Sequence, residues 1–154
     1  MKNEDPLPQP NYKESLETVY CLSQRFSNLT FDEVLKNTRK ALEQVGFEVV
    51  SEMAMHEYFK QHLGKDINRY VVLGACHASL AFDLLQAENK LGVLMPCNVI
   101  VQDVENGQLM EVSIIDPSQV WREASDEAVK QKAHEITEQF KTVLHNIQQT
   151  DSSL

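Results

Sequence analysis

The sequence predicts an α+β fold, in which helices pack on a curved, mainly antiparallel sheet and a long helix closes the chain. Three observations carry that expectation. Runs with a two-residue apolar period alternate with segments of helical period. Asn106-Gly107 stands between two β-rich runs, a strong hairpin signal because both residues tolerate positive φ. Val129, Ala133, Ile136, Phe140, Val143 and Ile147 recur at near-heptad spacing near the C-terminal end. A doubly wound parallel sheet is less well supported, since the phosphate-loop candidate "GACHAS" has one glycine and neither GxGxxG nor GxxxxGK[ST].

The elements follow in order. Residues 1–13 carry three prolines and no periodicity, as a flexible arm does. Thr18–Phe26 suits a first strand, with Cys21 in its core-facing set. Thr30 and Glu33 form a capping-box pattern ahead of Phe31, Val34, Leu35, Ala41, Leu42 and Val45, and Gly46 stands where such a helix stops. Phe47–Met55 alternates as a half-buried strand, with Phe47, Val49 and Met53 on one side. "HEYFKQHLG" is a short helix ended by Gly64, with His56 and His62 facing solvent.

Tyr70–Cys76 is nearly all apolar, as for an interior strand. "ASLAFDLLQAEN" is a helix that buries Leu80, Phe82, Leu84 and Leu85, and "VLMPCNVIVQDV" and "QLMEVSIIDP" flank the hairpin turn. Asp116 and Pro117 fit the N-cap and N1 positions of the last helical region, which runs to Ile147. Ser125, followed by Asp126-Glu127, suggests a second cap and therefore two consecutive helices. His134 and His145 belong to the polar side, and Trp121 anchors the helix in the core.

The 154 residues fit one domain, over 14–148, between the arm and a disordered tail at 149–154. A net charge of −9, with Lys and Arg scattered, disfavours a surface that tracks nucleic-acid phosphates and one that binds membranes. No segment approaches the ~18 apolar residues of a membrane span. Three cysteines without an export signal suggest reduced thiols in a cytoplasm.

The chemistry concentrates on Cys76, His77 and Cys97. Thiolate and imidazole are zinc donors, but structural zinc takes four, often from CxxC knuckles, and this chain has no CxxC. The metal reading is therefore weak. If the strand ending at Cys76 pairs antiparallel with the one beginning at Cys97, the two thiols become neighbours at a helix start, where a dipole favours thiolate. His77 could add positive charge or act as a base. The plain alternative is that both cysteines are small buried core residues. No third group completes a triad, and no cofactor is identifiable.

"YVVLGACHASLAFDLLQAENKLGVLMPCNVIVQDVENGQLMEVSIIDP" resembles the domain of unknown function 302 family. The "GAC" strand end, the helix leading to Gly92, the "LMPC" turn and the final "IDP" carry the likeness, which extends over about residues 15–147. The resemblance implies a β-α-β(4)-α arrangement akin to the TATA-binding-protein-like fold, with 78–88 as an excursion between strands. It also implies a homodimer and no established activity. Members often have Asn-Pro after the first cysteine, where this chain has His77-Ala78.

The expectation is therefore a small binding or accessory module with a ligand or thiol site around Cys76, His77 and Cys97. One alternative is an enzyme or thiol-redox protein using Cys76 or Cys97. Another is an interaction module whose long-helix stripe meets a partner. A homodimer and a small-molecule ligand are the expected partners.

Overall fold

A computed structural model describes residues 18–149, so the predicted arm at 1–13 and nearly all of the tail lie outside the described residues. Strands β1 (Cys21–Phe26), β2 (Glu48–Ala54), β3 (Tyr70–Cys76), β4 (Cys97–Asp103) and β5 (Met110–Ile115) alternate with helices α1 (Phe31–Gln44), α2 (Met55–Leu63), α3 (Ala78–Ala87), α4 (Pro117–Val120) and α5 (Glu127–Gln149). A 3-10 helix, Asn89–Leu94, separates α3 from β4. The five strands form one open sheet in the order β1-β5-β4-β3-β2, every neighbouring pair antiparallel. The fold is α+β, with helices packed on the sheet and a long C-terminal helix. Among the described residues no helix is long and apolar enough to cross a membrane.

Local chemistry explains most boundaries. Thr30 Oγ1 accepts from Glu33 N at 3.2 Å while Glu33 Oε2 accepts from Thr30 N at 3.2 Å, so α1 begins with a complete capping box. It ends with Gly46 at φ 86°, where Gly46 N donates to Glu43 O and Phe47 N to Leu42 O, a Schellman arrangement. Asn106 (φ 44°) and Gly107 (φ 88°) make the two-residue β4–β5 turn, closed by Gln108 N donating to Glu105 O.

The core lies between one sheet face and α1 and α5. Leu73, Val99, Val101, Val112 and Ile114 present it from the sheet. All six residues of the α5 stripe are at most 2% exposed, so within this chain the stripe is core and is not free to meet a partner. Asn37, also buried, donates from Nδ2 to the Ile147 carbonyl at 3.0 Å, tying the end of α5 to α1.

Several expectations fail for identifiable reasons. β1 starts at Cys21 rather than Thr18, because Val19 and Tyr20 form a turn. Cys21 lies on the sheet face away from α5, half-buried, rather than in the core. In β2 a bulge between Val49 and Ser51 inserts Val50 and reverses the alternation beyond it. Met53 is thereby turned away from the core and is 50% exposed, while Glu52 comes to the helix side and pairs with Arg39 of α1 at 2.8 Å. Phe82 is 65% exposed, because of α3 only Leu84 is buried. His56 is half-buried, its Nδ1 accepting from Tyr70 N at 3.0 Å where β3 begins. Two helices do follow Asp116, but Asp126 caps the second, accepting from Ala128 N at 2.8 Å. Ser125 instead donates its N–H to Glu88 Oε1 at 2.8 Å.

Candidate functional site

The strand-to-helix junction at the end of β3 is built by opposing demands on consecutive residues. Ala75 pairs with Cys97 across the β3–β4 ladder, on the side facing the helices. Cys76 is the next residue, paired with Glu48 of β2, so its Cβ leaves the opposite side of the sheet. His77 then leaves the strand and becomes the N-cap of α3. Its Nδ1 accepts from Leu80 N at 3.3 Å, and its carbonyl accepts from Ala81 N at 2.8 Å. The imidazole meets Phe47 edge-on, with centroids 5.4 Å apart, and lies over Gly46 so closely that a Cβ there would be 2.7 Å from Nε2.

The dipeptide that departs from the family pattern thus occupies the N-cap and N1 positions of a helix. An acceptor side chain suits the first, as Asn would, and a helix former suits the second, as Pro would. The structural work of His77 is capping; one ring nitrogen is already committed to it.

On the β4 side, Met95-Pro96 is a cis peptide and places the proline ring against Gly74. A Cβ on Gly74 would stand 2.7 Å from Pro96 Cγ and would also run into Ser51 Oγ. The "GAC" and "LMPC" segments are therefore in contact at the glycine and the proline as well as along the Ala75–Cys97 pair.

These segments enclose one side of a narrow apolar cavity of about 20 Å³, room for about one water molecule. Cys76, His77 and Cys97 all line it. Leu80, Ala81 and Leu84 of α3 form another wall, with Phe47, Ile136 of α5 and Trp121 completing it. Neither an acidic side chain nor a lysine or arginine is among the lining residues.

The electrostatics separate the two thiols. Cys97 is 5% exposed, and burial, with a smaller contribution from the nearby Cys76, pushes its thiol up to about 12. It is a protonated, weakly reactive group at neutral pH. Cys76 is half-buried, and no base hydrogen-bonds its thiol among the described residues. Both are free cysteines. Among the described residues no three His, Cys, Asp or Glu side chains converge on a metal position.

Two features of this region were not legible as site chemistry. Trp121 is 2% exposed and lines the cavity, yet its indole Nε1 is buried without an acceptor among the described residues. Most buried indole N–H groups find a partner, so this one stands out. Asp116 does more than cap α4. Its Oδ1 accepts from Ser118 N (3.0 Å), Ser118 Oγ (2.6 Å) and Thr137 Oγ1 (2.7 Å), which ties the end of β5 to α5 beside Trp121. The "DPS" string announced the cap, and nothing announced Thr137.

The chain matches the family described as Domain of unknown function DUF302 over residues 23–147. It is also similar to a solved structure described as the crystal structure of an uncharacterized conserved DUF302 protein from Bacillus stearothermophilus. The identity is 23%, the TM-score 0.75, and the match covers 84% of this chain and 99% of that one. At that identity the likeness speaks for the fold. No curated protein matches the chain.

Proposed function

This chain belongs to the DUF302 family, and on that premise we propose that it is a small binding module whose ligand site is the cavity at the β3–α3 junction. The observation that carries the reading is that one apolar cavity draws walls from β3, β4, α3, α5 and the loop at Trp121, and that Cys76, His77 and Cys97 all border it. Ligand pockets are characteristically concave and apolar with few polar groups. The cavity is far smaller than a typical ligand, so occupation requires α3 to move. α3 is suited to that, since Leu84 is its one buried residue.

Native mass spectrometry of freshly purified protein tests this. The expected result is a retained small-molecule mass that disappears on denaturation and is absent from Ala81→Leu, which fills the cavity. A bare chain in both proteins counts against the reading. The thiol-enzyme alternative finds less support, because burial keeps Cys97 protonated and no base hydrogen-bonds the Cys76 thiol among the described residues. On this reading the protein works in a reducing cytoplasm, consistent with three unpaired thiols. Taken with α2 and α3 as excursions between sheet strands, its element order reads as the β-α-β(4)-α arrangement of the TATA-binding-protein-like kind.

The homodimer implied by the family resemblance is carried as a second reading. Phe82, Val93 and Leu94, at 65%, 85% and 38% exposed, leave apolar surface on α3 and the adjoining 3-10 helix that a second copy would cover. Sedimentation at high concentration decides it: a strict monomer removes the dimer.

A further inference from the structure

We infer that the ligand of this cavity is an uncharged, largely apolar small molecule with one hydrogen-bond acceptor, a ketone or ester carbonyl, received by the indole Nε1–H of Trp121. The inference rests on the reading of the cavity as a ligand site and names the chemistry that site selects.

Three observations converge. The first is the orphaned donor. Trp121 is 2% exposed, borders the cavity, and its Nε1 has no acceptor among the described residues. A buried donor left unmade costs about 1–3 kcal/mol, so a cavity occupant that accepts from it is favoured over one that does not. The second is the lining. Leu80, Ala81, Leu84, Ile136 and Phe47 supply hydrocarbon, and the lining has no Asp, Glu, Lys or Arg to pair with a charged ligand. Bringing an unpaired ion into such surroundings is disfavoured much more strongly than bringing in a neutral carbonyl.

The third concerns the other polar groups. His77 commits Nδ1 to Leu80 N, and its Nε2 sits over Gly46. The Cys97 thiol is a weak donor, and Cys76 sends its Cβ to the other side of the sheet. Of the two ring N–H donors on residues that line the cavity, Nε2 of half-buried His77 and Nε1 of Trp121, only the indole's is fully buried without an acceptor among the described residues. A single acceptor on an otherwise apolar ligand satisfies it and leaves no polar atom of the ligand bare.

Trp121 is the only tryptophan in the chain, so its fluorescence reports this position directly. Three probes of similar size separate the possibilities: cyclohexanone, methylcyclohexane and cyclohexanecarboxylate, each titrated into the full chain. The expected result is a saturable change in Trp121 emission with cyclohexanone, about tenfold tighter than with methylcyclohexane, and none with the carboxylate. The indole Nε1–H proton resonance should move with cyclohexanone and not with methylcyclohexane. In Trp121→Phe, followed by calorimetry, the preference for the ketone should fall below about threefold.

Equal binding of ketone and hydrocarbon, or an Nε1–H resonance that ignores the ketone, overturns the acceptor inference and leaves the cavity as an apolar site. Binding of the carboxylate also overturns it. If none of the three binds, the indole is satisfied by a trapped water only, and the cavity reading falls as well. The Nε1–H measurement uses the unaltered protein, so the test survives if Trp121→Phe fails to fold.

Discussion

Pro96 packs onto Gly74 so closely that a methyl group at position 74 would stand 2.7 Å from the proline Cγ. The contact explains why a strand that is otherwise apolar carries a glycine in its interior, where glycine is ordinarily unfavourable. It also sets the position of Cys97, one residue beyond the proline, against Ala75.

Gly74→Ala should therefore destabilise the protein by about 1–3 kcal/mol, the range for overpacking a filled site. Urea unfolding measures it. Gly92→Ala is the control, because a Cβ there would meet Leu85 Cδ2 at an ordinary 3.7 Å. It should change stability by no more than about 0.5 kcal/mol. Equal effects of the two substitutions would show that the Pro96 contact is unimportant.

Thr137→Val keeps the shape of the side chain and removes the hydroxyl that donates to Asp116 Oδ1 at 2.7 Å. Asp116 is 8% exposed, so the lost bond is to a largely buried carboxylate, worth about 1.5–3 kcal/mol. Thr142, whose Oγ1 donates to the Glu138 carbonyl at 3.3 Å on the exposed side of α5, provides the comparison. Thr142→Val should stay within about 0.5 kcal/mol by the same denaturation measurement.

Burial raises the Cys97 thiol from an ordinary 9.0 to about 12. The folded state thus resists losing this proton and the unfolded state does not. The associated stability is fully present below pH 9 and declines as the pH rises from 9 towards 12. Tyr70, also raised mainly by burial, acts in the same direction. Stability measured against pH should fall above pH 9, and the fall should be shallower in Cys97→Ala. Thiol labelling of the native protein at pH 8 should modify Cys97 slowest of the three cysteines. Rapid modification of Cys97 would contradict its burial.

His77→Ala removes the α3 cap, whereas His77→Asn retains an acceptor at that position. Both lose the ring contact with Phe47, so the difference between them isolates the cap. His77→Ala should be less stable than His77→Asn by about 1 kcal/mol. Far-ultraviolet circular dichroism through thermal unfolding provides the measurement, and indistinguishable variants would assign His77 a role other than capping.

Where local rules govern, sequence and structure agree. The Thr30–Glu33 capping box, the Gly46 stop, the Asn106-Gly107 turn and the α5 stripe each depend on residues within a few positions of one another, and their spacing carries the physics. The region around Cys76, His77 and Cys97 stood out because unusual residue types end a strand and open a helix. Alternation puts Met53 on the core face, and the structure turns it away, because a bulge adds one residue to β2 without a mark in the sequence. Phe82 lies outside against expectation, because an apolar residue on a helix does not reveal how little of that helix is covered.

The sequence by itself determined the α+β class, the order of its strands and helices, the hairpin and the buried face of the last helix, all consequences of short-range periodicity and capping. Tertiary structure alone decided which distant groups meet. It set Pro96 on Gly74, Thr137 on Asp116, and Trp121, its indole N–H unpaired among the described residues, on the same cavity as Cys97. Those contacts join residues twenty or more positions apart, and no local energetic preference records them. They exist because sheet register and helix packing bring the segments together, and the cavity they leave is a property of that packing.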